Sequence, residues 1–162
     1  MTLVSSIRRG PTILGWSAMP LLMRAGIVLS TLFAGVWLLF VPFAALDLGT
    51  YSIDEQQVTG QYFLVHAYPI LAPFIVLLLA LAYGYWTERL WARPLPLIFW
   101  FAVDLVLLYQ VVAGFVGTGE AVTYALWAVV YLGAAWWYCY QKAAVVRYYK
   151  ALEEATVAAA GA

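Results

Sequence analysis

The sequence predicts an all-α integral membrane protein, a four-helix transmembrane bundle joined as up-down-up-down hairpins with both termini cytoplasmic. Three observations predict it. First, of 162 residues 66% are apolar and only 10% are charged, with a mean hydropathy of +0.90, more apolar surface than a soluble domain of this length can hide. Second, four apolar stretches each reach the about 20 residues that a helix needs to cross a hydrocarbon core. Third, the eight basic residues lie outside those stretches and on alternate connections, the asymmetry that orients membrane helices.

Residues 1–24 form an N-terminal segment, 25–141 the transmembrane domain and 142–162 a cytoplasmic helix and tail. The basic residues Arg8, Arg9 and Arg24 before the first apolar run resemble a signal-peptide flank. The run itself is too long for a signal core and no A-x-A site follows, so it reads as a retained span. Pro11 to Met23 mixes Trp16, Met19 and Leu21 with two prolines, a composition suited to the headgroup level.

The spans are expected at Ala25 to Leu46, Phe63 to Tyr85, Leu95 to Val116 and Ala121 to Gln141. Backbone groups in lipid must pair within the segment, and the stretches lack the alternation of barrel strands, so each is a helix. Asp47 to Tyr62 is the one connection with room for structure of its own. Its Ser52-Ile53-Asp54-Glu55 has capping-box spacing, which predicts a short helix through Val58 ended by Gly60. Trp86 to Pro94 and Gly117 to Glu120 are tight connections, and Lys142 to Glu154 continues a helical pattern whose Val145, Val146, Tyr149 and Leu152 are expected against lipid or a neighbouring chain. Arg89, Arg93, Lys142, Arg147 and Lys150 join the N-terminal arginines on one side, while Asp47, Asp54, Glu55 and Glu120 mark the other. The positive-inside rule therefore places both chain ends in the cytoplasm of a bacterial-type inner membrane.

Asp104 is the most informative residue, because a carboxylate at mid-span costs about 2.5–3.5 kcal/mol on insertion scales. No span contains a lysine or arginine to offset it. Counting rise along each helix puts Tyr131 at the same depth, so its hydroxyl is expected to meet Asp104. The network serves either as interhelical glue, as a proton or ion site, or as a contact for another subunit. His66 lies further outward, nearer the depth of Tyr109 and Gln110, with Tyr62 one turn away. It is the one candidate axial ligand for a haem or chlorophyll-type magnesium, although hydrogen bonding near the interface is the commoner role.

Pro69 and Pro73 remove two amide donors from the second span and should bend it. Gly26, Ser30 and Ala34 recur every fourth residue and form a small packing face on the first span. Glu88, Arg89 and Arg93 read as solvated loop charges. The lone Cys139 excludes an internal disulfide and reads as a buried small side chain. Aromatic residues, 17% of the chain, suit an interfacial belt, with a pigment or quinone surface as the sharper alternative. No HExxH, GxSxG, Walker or Rossmann pattern occurs, and no basic patch suggests nucleic acid.

These features favour a non-enzymatic accessory or scaffolding subunit, buried in membrane lipids against other subunits or copies of itself, in a complex of respiratory or photosynthetic type. The alternative is a small transporter, channel subunit or lipophilic-ligand binder built on Asp104. In general layout the chain resembles many small four-span bacterial membrane proteins, a likeness that assigns no residue a role.

Overall fold

The computed structural model describes residues 13–53, 56–113 and 117–160. A single 3-10 turn, Trp16–Ala18, precedes α1 (Leu21–Ala45), which starts where Pro20 supplies the first free carbonyl to the amides of Met23 and Arg24. A two-stranded antiparallel hairpin follows, β1 (Tyr51–Ile53) on β2 (Gln56–Val58), and then α2 (Gly60–His66), α3 (Tyr68–Trp86), a second 3-10 turn (Leu90–Ala92), α4 (Leu95–Val112), α5 (Thr118–Tyr140) and α6 (Ala143–Ala160). Four helices are long and apolar enough to cross a membrane: α1, α3, α4 with the turn before it, and α5. The sequence expectations for Arg8, Arg9 and Pro11, for Asp54 and Glu55, and for the end of the third span at Val116 lie outside the described residues.

Two expected elements differ. Where a short helix was expected, Tyr51–Ile53 and Gln56–Val58 pair as antiparallel strands, because Tyr51 and Ile53 alternate with polar Ser52 and Tyr51 is buried. The Tyr51 ring packs against Phe40 and Phe63, at 5.6 Å from each centroid. That aromatic anchor outweighs a local cap. Gly60 does not end a helix but opens one, with Thr59 as the N-cap accepting from the Tyr62 amide at 3.3 Å. The second expected span is divided into α2 and α3 at Ala67, just before Pro69, which sits in the first turn of α3 where its missing amide hydrogen is tolerated. Pro73 remains inside α3.

The helices associate unevenly. Gly26 faces the Tyr85 ring and Gly60 lies against the Ala44 carbonyl, so α1 pairs along its length with α3 and α2. Met23, Ile27, Ser30 and Ala34 are the buried stripe of α1, at helical spacing. The α4–α5 hairpin is far less covered, with 6% and 11% of the two apolar windows buried, against 22% for α1 and 28% for α3.

The tightest packing lies at one end of the spans, where Met19, Met23 and Ile27 meet Leu81, Tyr85, Ala92 and Leu95 under Val145, Tyr148, Tyr149 and Leu152 of α6. This corrects the expectation for the last helix. Val145, Tyr149 and Leu152 face their own chain, because its apolar stripe closes over the loop and the N-terminal segment. Met19 is likewise a core residue. Gly84 permits the fold-back, since a Cβ there would meet the Ala92 methyl at 2.6 Å.

Candidate functional site

Asp104 lies on α4 in a groove of about 440 Å³ between α4 and α5. The groove exists because Ala121, Ala125 and Ala128 present small side chains opposite Leu105 and Leu108. Apart from the Asp104 carboxylate, Tyr124 supplies the one polar side chain in its wall. The Oδ2 atom of Asp104 is buried and has no hydrogen-bond partner, a costly condition for a carboxylate oxygen among apolar groups.

Tyr131 does not supply the expected partner. Its ring stacks on Trp100 at 4.3 Å with the planes 5° apart, and on Trp127 at 5.6 Å. Depth fixes the height of a side chain but not its direction around the helix, and the indole one turn from Asp104 captures the phenol ring. Tyr131 instead lines a second cavity of about 380 Å³ that all four spans border, with Gly26, Ser30, Tyr85, Trp100 and Tyr138. Gly26 and Ser30 of the small face of α1 thus border the same cavity as Tyr131, while Asp104 stands apart.

The polar residues toward the opposite ends of the spans from α6 are dispersed. His66 stacks on the Tyr62 ring at 3.8 Å, and its Nδ1 lies 2.9 Å from the Tyr62 carbonyl oxygen. Gln110 lines a separate groove between α3 and α4 with Ile70, Leu71 and Phe74, and Tyr109 is 62% exposed. No hydrogen bond among the described residues joins His66 to either of them.

A different acid is the most connected polar group among the described residues. Glu88 is 3% exposed, which corrects its reading as a solvated loop charge. Its carboxylate accepts from the amides of Leu14 at 2.6 Å and Gly15 at 2.9 Å, and from the Tyr148 hydroxyl at 3.1 Å. One side chain therefore ties the loop to the N-terminal segment and to α6. The backbone geometry explains the aim: Glu88 follows the cap of α3 at φ 53°, with the Arg89 amide donating to the Gly84 carbonyl and the Glu88 amide to that of Tyr85. This is a Schellman closure, usually held by glycine. Asp47 repeats it at the far end of α1 with φ 55°, the Leu48 amide reaching Phe43 and the Asp47 amide Ala44. The Asp47 carboxylate then accepts from the Gly60 amide. The signal in the sequence was an acid directly after a span in a connection otherwise basic.

Arg93 is also more than a loop charge. Its Nε donates to the Cys139 carbonyl at 3.0 Å, and its guanidinium carbon lies 4.6 Å from the Tyr140 ring centroid and 5.3 Å from that of Tyr149. Cys139 itself is buried. Burial holds the phenols of Tyr148 and Tyr149 above the usual tyrosine range, and the neighbouring Glu88 carboxylate adds to the effect on Tyr148.

The fold therefore defines a membrane protein with four candidate spans, an orphaned carboxylate oxygen in an interhelical groove and a polar clamp beyond the span ends. No protein-family model, curated protein or solved structure matches the chain.

Proposed function

We propose that the chain is a non-enzymatic helical subunit of a larger membrane assembly, oriented with both ends in the cytoplasm. The observation that carries this reading is the α4–α5 hairpin. It is the pair of spans least covered by the chain itself, and it holds Asp104, whose Oδ2 has no partner. A donor on a neighbouring subunit's helix, seated in the alanine-lined groove that the Asp104 side chain borders, would pair with its carboxyl group, and the small side chains give such a helix room to approach closely. The side on which the basic residues gather supports the orientation.

Purification from the native membrane in mild detergent tests the reading. Co-migrating chains are expected, and Asp104→Leu should release them while leaving the fold intact. A solitary wild-type species would overturn it.

The volume and apolar walls of the Asp104 groove favour one second reading, a lipophilic-solute binder or transporter. In that case Asp104→Asn should alter proton or solute flux in liposomes, and unchanged flux would leave the acid as an assembly contact.

A further inference from the structure

We propose that the cleft between the Leu90–Ala92 turn and α6 is a binding site for the phosphodiester of an anionic phospholipid. The cleft has a volume of about 300 Å³ and is lined by Leu90, Arg93, Val146, Tyr149, Lys150 and Glu153.

Arg93 is prepared for an anion. Its Nε is committed to the Cys139 carbonyl, and the rings of Tyr140 and Tyr149 flank the guanidinium. The two terminal nitrogens remain as the donors for an occupant, and a guanidinium fork fits two phosphate oxygens at once. Its plane is set in advance, so little side-chain freedom is lost on binding.

Position selects a lipid as the source. Arg93 lies within the first turns of the candidate span Leu90–Val112, the depth at which basic side chains meet headgroups. Leu90 and Val146 supply an apolar margin for glycerol and the first acyl carbons. Charge selects the headgroup. Arg93 and Lys150 against Glu153 leave one net positive charge in the lining, which a single phosphodiester neutralises. The carboxylate opposes the second charge of inorganic phosphate and can accept from a headgroup hydroxyl, as phosphatidylglycerol offers.

The full chain in detergent, titrated with equal amounts of dioleoyl-phosphatidylglycerol and dioleoyl-phosphatidylcholine and read by native mass spectrometry, tests this. Phosphatidylglycerol should be retained preferentially, and the preference should fall about fivefold for each cation removed, in Arg93→Gln and in Lys150→Gln. Lys150 is exposed, so its variant keeps the test decisive if Arg93→Gln does not fold. Inorganic phosphate should not displace the lipid. Equal retention of the two lipids, an unchanged preference in Lys150→Gln, or displacement by inorganic phosphate would each overturn the assignment.

Discussion

Glu88 and Asp47 adopt a left-handed backbone that costs a non-glycine residue about 1–2 kcal/mol. Each offsets that cost with side-chain bonds that glycine could not make. Each hydrogen bond to a charged group contributes about 1.5–3 kcal/mol and the Glu88 carboxylate accepts three, so Glu88→Ala should lower unfolding stability in detergent by at least that much. Glu88→Gly should lower it less, because glycine relieves the backbone term; equal losses would show that φ contributes nothing. The buried phenols of Tyr148 and Tyr149 predict a pH dependence. Their folded-state pKa values lie above the unfolded value of about 10, so the unfolded chain releases these protons first. The stability they add is complete below about pH 10 and declines as pH rises beyond it. Thermal midpoints taken across that range should fall, and Tyr148→Phe with Tyr149→Phe should blunt the fall.

The aromatic stack between α4 and α5 is the clearest case of one helix locating another. Tyr131→Phe preserves the ring pairing with Trp100 and should leave stability unchanged, whereas Tyr131→Leu should cost about 0.5–1.5 kcal/mol beyond lost area. A large loss in Tyr131→Phe would instead mean that the hydroxyl carries the contact. At the other end of α1, Gly60→Ala would drive a methyl into the Ala44 carbonyl and should destabilise more than Asp47→Ala, which removes one hydrogen bond. The helices themselves were legible because lipid imposes length and composition on a span. The β1–β2 hairpin was not, since its stability comes from Tyr51 meeting Phe40 and Phe63, which lie in the helices on either side. The second span was expected as a single helix bent at Pro69 and Pro73, whereas it is divided at Ala67, two residues before Pro69.

Across the whole molecule, hydropathy made four spans readable, yet the site geometry depended on rotation about each helix axis, which composition does not encode. Asp104 was recognisable as an anomaly from its type and depth alone; its separation from Tyr131 was not. Glu88 escaped because burial at a loop is created by segments far away in the chain, Leu14 and Tyr148. Packing is concentrated where α6 meets the N-terminal segment and sparse on the α4–α5 hairpin. Hydrogen exchange in detergent should therefore show slower exchange in the first turns of α1 and in α6 than in α4 and α5. The core that joins Met19 to Leu152 also means that folding can be completed only at the end of biosynthesis. While the ribosome is still delivering the later spans, Met19, Met23 and the Glu88 carboxylate wait without their covering, and only arrival of the final helix seals them. A nascent chain stalled before that point would expose an apolar docking surface, a ready mark for chaperones and membrane proteases.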